Sequence, residues 1–267
     1  MSSVTLKQLL EAGSHFGHQA RRWNPAMRPY IYAERDGIHI FDLVKTKEGL
    51  EKACEYVKNT VGEEKTVLLL GTKRQAADQI KLAADKTGMP YVNVRWMGGL
   101  FTNFDQVGKS IRKLASLKDQ REKGELKKYT KREQLLIDRQ IGKLEKFFGG
   151  VAGLTKIPDA LFVVDTHREE VAVKEANRMK VPVVGMVDTN GEPSLVDYVI
   201  PVNDDAVKSI ELVVGAIADA IVSSKTQETS DKHEPSTNDQ ASKKPKTVKT
   251  KSKTVKSKKS KEKTSEN

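Results

Sequence analysis

The chain predicts an α/β fold: a doubly wound, mostly parallel sheet flanked by helices, with an inserted, protruding antiparallel helical hairpin of coiled-coil type. Three observations predict it. Continuous apolar runs, TVLLLG at 66–71, PDALFVVD at 158–165 and VPVVGMVD at 181–188, read as strands buried on both faces. The first two are followed by RQAADQIKLAADKTG and REEVAVKEANRMK, which have helical spacing, so strand and crossover helix alternate as a parallel sheet requires. Residues 103–148 interrupt this rhythm with charged, helix-forming sequence.

Taken in order, VTLKQLLEAG predicts a short helix with Leu6, Leu9 and Leu10 on one side and Gly13 as its stop. Pro25 and Pro29 keep the following segment extended or turning. GIHIFDL at 37–43 is read as the first strand of the sheet. A helix follows with Leu50, Ala53, Cys54 and Val57 inward and Gly62 near its end. YVNVRW at 91–96 is a further strand, broken by Gly98 and Gly99. In the hairpin, apolar positions recur at 107, 111, 114 and 117, then at 135, 136, 141, 144 and 147/148, and Thr130 is a helix N-cap. VDYVIP at 196–201 is a short strand, and 204–222 a final helix. The chain therefore divides into an α/β domain of residues 1–102 and 149–224, the hairpin of 103–148, and a lysine-rich tail of 225–267 whose composition reads as disordered.

Composition narrows the function. A single cysteine, Cys54, excludes a disulfide framework and a cysteine-rich zinc site, and fits a reducing compartment such as the cytosol. No apolar run approaches the ~20 residues that span a bilayer, and the start lacks the pattern of a signal peptide. The net charge of +11 is uneven: residues 105–150 carry +6, residues 151–224 carry −6 and residues 225–267 carry +7. Localised basic stretches point to a polyanionic partner.

Four motifs carry candidate chemistry. In GSHFGHQARRWNPAMRPYIY, Arg21, Arg22 and Arg28 offer planar forks for phosphate, and Trp23, Asn24 and Tyr30 offer stacking and hydrogen bonds. His15 and His18 read first as packing or hydrogen-bonding groups. The alternative is one divalent ion, Zn or Mg, held by His18 with Asp188, Asp204 and Asp205, carboxylates that fall at strand or helix ends. GTKRQAA follows a buried strand and opens a helix, which places Lys73 and Arg74 where open α/β sheets bind phosphate, although no Walker or GxGxxG pattern is present. RWMGGLFTNF contributes Arg95 and Asn103 beside a tight turn, and the hairpin contributes Lys109, Arg112 and Lys113. The enzyme alternative is a sugar-phosphate or nucleotide-binding α/β protein using Lys73 and His167.

AGSHFGHQARRWNPAMRPYIY, GIHIFDL, LLLGTKRQA, NVRWMGGLFTNF, FGGVAGLTKIPDALFVVD, VPVVGMVDTN and VIPVNDDAVKSI occur in this order. Together, over about residues 3–224, they resemble the bacterial ribosomal protein S-two family of the small subunit. The resemblance implies a doubly wound domain with a projecting helical hairpin, no catalysis, no required cofactor and no small-molecule substrate. It implies contacts with 16S rRNA and neighbouring ribosomal proteins between the head and body of the cytoplasmic small subunit. In many bacteria the family also holds the large mRNA-binding protein one, a role for which these residues show no specific feature. The lysine-rich tail lies outside the resemblance.

Overall fold

The computed structural model describes residues 4–231. Its first helix, α1 (Leu6–Glu11), is closed by a capping box between Thr5 and Gln8. Of its three leucines only Leu9 is buried; Leu6 and Leu10 are exposed, so one side chain rather than an apolar face seats it.

GIHIFDL does not enter the parallel sheet. It forms β3 (Ile38–Phe41), the centre of a three-stranded antiparallel sheet with β1 (Phe16–Gln19) and β2 (Ile31–Arg35), ordered β1-β3-β2. The cause is local. Asp36 and Gly37 both take positive φ, 53° and 73°, and Arg35 pairs with Ile38 across them. A two-residue turn of that hand matches the twist of paired strands, and Asp-Gly is its favoured sequence. Between β1 and β2, residues Pro25–Tyr30 wind into a 3₁₀ helix, the turning form of the extended or turning segment expected there, with its Met27 fully buried.

The main sheet comprises β4 (Val67–Leu70), β5 (Tyr91–Val92) and three later strands, all parallel. Helix α2 (Leu43–Gly62), capped by Asp42, precedes it. Helix α3 (Arg74–Thr87) links β4 to β5 and stops at Gly88, whose φ of 68° terminates it as the sequence indicates. Strand β5 is two residues long, shorter than the expected 91–96; beyond it Asn93 turns its amide to the Ala77 carbonyl in α3.

Helices α4 (Phe104–Glu122) and α5 (Lys131–Phe148) follow, joined by a short 3₁₀ turn, and Thr130 caps α5 in a capping box with Glu133. They pack on each other. Val107, Ile111 and Leu114 are buried on one, Ile141 and Phe148 on the other, whereas Leu135 and Leu136, expected on the apolar stripe, are exposed. The two helices are 19 and 18 residues long. The pair is a helical hairpin.

Strands β6 (Ala160–Val164), β7 (Val183–Val187) and β8 (Tyr198–Pro201), with helices α6 (Glu170–Arg178) and α7 (Val207–Asp231), complete the fold. The sheet order is β5-β4-β6-β7-β8, so the chain winds outward in both directions from β4. Side chains alternate across it. Val67, Leu69, Phe162 and Met186 meet α2, α3 and α7 on one face; Leu68, Leu70, Leu161 and Val163 meet α6 and the hairpin base on the other. Helix α7 runs past residue 225, where the sequence places the tail; the remainder of that tail lies outside the described residues.

The close seat of α2 on β8 gives a test. A Cβ on Gly49 would lie 2.5 Å from the Val199 carbonyl oxygen. Gly49→Ala should therefore lower stability by about 1–3 kcal/mol through overpacking, outweighing the roughly 1 kcal/mol that alanine gains in a helix. Urea titration should show a lower midpoint; an unchanged or higher one would mean the contact relaxes freely.

Candidate nucleic-acid interface

The segment after α1 is held along the carboxyl edge of the parallel sheet by hydrogen bonds. Ser14 Oγ donates to Ser209 Oγ at 3.0 Å, and Asn203 donates from its backbone to Ser14 O and from its side chain to Gly13 O. His18 N donates to Thr189 Oγ1 at 2.9 Å and Asn24 N to Thr189 O at 2.7 Å. The glycine between the two histidines is required by this docking, because a Cβ on Gly17 would lie 2.5 Å from Thr189 Cγ2.

What the docked segment presents outward is cationic. Arg21, Arg22 and Arg28 are exposed. Trp23 is half-buried against the His39 ring, with centroids 4.9 Å apart, and Asn24 Nδ2 donates to Glu192 Oε2 at 2.8 Å. Those two support the backbone while the arginines face solvent. Arg74, Arg95, Asn103, Lys109, Arg112 and Lys113 are exposed as well.

Lys73 is different. It is buried, and its Nζ lies 2.6 Å from Asp204, 2.5 Å from Asp205 and 3.1 Å from Asp165. Burial opposes its charge, yet the three carboxylates outweigh burial and raise its pKa above the ordinary lysine value. This ammonium stands at the divergence of β4 and β6, the crevice where open α/β sheets take ligands, and fills it with the protein's own ion pairs. It is therefore not available to an RNA phosphate or a nucleotide. The enzyme alternative loses its cation, and His167 sits exposed, just before α6 begins.

Beside Lys73 lies the predicted histidine–carboxylate group. His18, Asp188 and Asp204 each offer a ligand atom, all within 4.8 Å of one another. His18 Nδ1 is 2.9 Å from Asp188 Oδ1, which, with opposing desolvation, raises the His18 pKa to about 8. Burial, then the neighbouring Asp188 and Asp165, push Asp204 up to about 8. Its Oδ2 has no hydrogen-bond partner among the described residues. Asp205 turns one oxygen to Lys73 and keeps the other 3.5 Å from His18 Nε2, so it stands at the edge of the group.

The RWMGGLFTNF loop is pinned by a residue the sequence reading does not single out. Glu175 of α6 accepts from Trp96 Nε1, from the backbone of Gly99, Phe101 and Thr102, and from Thr102 Oγ1, at 2.8–3.3 Å. Gly99 takes a φ of 91° to make this possible. The loop thus holds Arg95 and Asn103 exposed at its two ends. The available signal is an acid at 175 bordering the apolar positions 172, 173 and 176 of its helix.

A family model described as Ribosomal protein S2 matches residues 9–224. The chain belongs to the ribosomal protein S2 family. Several relatives named small ribosomal subunit protein uS2 agree. That of Coprothermobacter proteolyticus is 54% identical over 222 residues, 83% of each chain. That of Petrotoga mobilis is 51% identical over 225 residues, 84% of this chain and 78% of its own. That of Roseiflexus sp. is 52% identical over 219 residues, 82% and 84% respectively. The S2 family match spans both sheets and the hairpin and ends at residue 224, before the lysine-rich stretch.

The Glu175 bridge has a defined pH signature. Burial alone would raise its pKa, but the donors around it hold the carboxyl below the ordinary 4.5. Its stabilisation is complete above that unfolded value and is lost as the pH falls through the lower folded one. Glu175→Gln should cost about 1–2 kcal/mol near neutrality, since solvent screens this half-buried group. It should also show a smaller loss of stability between pH 5 and 3 than the parent, on the ~0.5-unit steps that resolve a carboxylate titration. Equal losses in both proteins would remove Glu175 from this role.

Proposed function

We propose that the chain is a structural constituent of the cytoplasmic small ribosomal subunit, without catalytic activity, and that it binds 16S rRNA and neighbouring ribosomal proteins. The observation that supports this most directly is the rigidly docked N-terminal segment that turns Arg21, Arg22 and Arg28 to solvent, in a chain of the S2 family. Guanidinium groups bind phosphate in bidentate fashion and position the protein on the RNA backbone. Arg74, Arg95, Asn103, Lys109, Arg112 and Lys113 are further contacts in this reading. Shape carries most of the specificity, because the major groove of RNA helices is too narrow for side chains to read.

Sucrose-gradient sedimentation of a lysate in magnesium buffer at ~100 mM salt tests it, a range in which phosphate contacts survive. The protein should migrate stoichiometrically with the small subunit and leave it at high salt. The triple change Arg21→Ala, Arg22→Ala, Arg28→Ala should release it at lower salt. Migration at the top of the gradient at all salts would overturn the assignment.

A finer reading concerns His18, Asp188 and Asp204. One nitrogen and two carboxylate oxygens suit a divalent zinc ion better than magnesium, which prefers oxygen and retained water. The unpartnered Asp204 Oδ2 supports a cation there. Loading would require the His18 proton to leave, so uptake should fall as the pH drops below about 8. After chelation and reloading, elemental analysis should return one zinc per chain, lost in His18→Ala. No stoichiometric ion in the parent would eliminate the site.

A further inference from the structure

Helix α5 has an outer face that no other part of the described chain covers. Ile141 and Phe148 point inward and are buried, with Ile137 and Leu144 packed beside them. At ~3.6 residues per turn, the residues on the opposite side are Arg132, Leu135, Leu136 and Arg139. Gly142, Lys143 and Lys146 continue the same face toward the end of the helix. All of these are exposed, Leu135 at 51% and Leu136 at 56%. They occupy about one third of the helix circumference, and no acidic residue falls among them: Glu133, Asp138 and Glu145 lie on the flanks. Among the described residues the ion pairs of the hairpin, Lys118 with Glu145 and Lys123 with Asp119, leave the cations of this face unused.

Gly142 is an independent observation. A glycine inside a helix costs stability relative to alanine, because it loses more backbone freedom on folding. Nothing within the described chain asks for it. Its backbone is ordinary right-handed helix, and an added Cβ would meet no atom within 4 Å. Gly17 and Gly49 differ, since a Cβ on either would lie 2.5 Å from a neighbouring group. A bare stretch of backbone on an exposed face suits close approach by another molecule.

The chemistry selects that molecule. Cations with no carboxylate among them call for an acidic surface. RNA would satisfy the cations, but a leucine has no π face to stack on a base and no donor for a phosphate. Two adjacent exposed leucines need apolar side chains opposite them, as a protein supplies at the centre of an interface. The other outer face of the hairpin is unlike this one: α4 exposes Lys109, Arg112 and Lys113 and no large apolar residue. That face suits phosphate alone.

We infer that the outer face of α5 docks an acidic, amphipathic segment of a neighbouring small-subunit protein. Its apolar side chains meet Leu135 and Leu136, its carboxylates meet the flanking cations, and its backbone approaches Gly142. The inference rests on the small-subunit reading above and assigns one of its protein contacts, leaving α4 to the RNA.

The test treats small subunits isolated from cells carrying the full chain with a carbodiimide, which joins an amine to a touching carboxylate without a spacer. Mass spectrometry should find Lys143 or Lys146 linked to an aspartate or glutamate of another small-subunit protein, in a segment that also bears apolar residues. Gly142→Ala should raise the unfolding midpoint of the purified chain by about 2–4 °C, since alanine is the better helix former. The same change should lower the link yield per bound chain by roughly three- to ten-fold, the size of one lost interface contact. Leu135→Ser combined with Leu136→Ser should lower it at least as far. Links unchanged in both variants would overturn the docking face. A lower midpoint in Gly142→Ala would show that the chain itself requires the glycine and would overturn its role here. A link to a second copy of this chain instead would also overturn the inference, as would nucleotide adducts on residues 132–146 after irradiation with no protein link, which would assign the face to RNA. Subunits that contain the chain but yield neither product overturn this inference alone. If the chain does not sediment with the small subunit at all, both readings fail together.

Discussion

The buried ammonium of Lys73 is the constraint on which the carboxyl edge of the sheet depends. It follows β4, and its partners come from the end of β6, through Asp165, and from the loop after β8, through Asp204 and Asp205. Two acidic loops that would otherwise repel each other are joined through the ammonium of a third. Removing a partner from such a buried group leaves charges without compensation, at about 3–5 kcal/mol. Asp204 shows the strain of the arrangement: burial and its acidic neighbours push its pKa to about 8 even with the lysine beside it.

This junction also positions the basic N-terminal segment. Asp188, at the end of β7, accepts from Asp204 N with one oxygen and meets His18 with the other. Thr189, its neighbour, accepts from the His18 and Asn24 backbones. The interior ion network and the basic surface are therefore parts of one construction: inner charges lock the loops, the loops seat the N-terminal segment, and the segment displays arginines. Glu175 does the equivalent for the loop that bears Arg95 and Asn103, using one carboxylate to satisfy several backbone donors at once. The crevice used by α/β enzymes has become a clamp, which is why a fold shared with many nucleotide-binding proteins serves here as a scaffold.

Much of the architecture was legible in the residues. The all-apolar runs of β4, β6 and β7 can only be strands covered on both faces, Gly88 ends α3, Thr130 caps α5, and the ordered motifs carried the S2 resemblance. The Asp36–Gly37 turn is also legible, and it puts β3 in the antiparallel sheet rather than in the parallel sheet that the strand–helix rhythm suggests. Leu135 and Leu136 follow the helical period yet lie exposed, because period places residues on a common face and does not supply a neighbour to cover it.

The sequence by itself determined the periodicities, the turn residues and the distribution of charge, since these depend on backbone geometry and composition within a few residues. Which cations reach solvent was decided only by the tertiary structure. Lys73 and Arg74 are adjacent in the chain, and one is enclosed by carboxylates from residues 165, 204 and 205 while the other is exposed. Nothing local distinguishes them. The difference arises because sheet order brings distant strand ends together, and a charge is buried only where the fold delivers its partners.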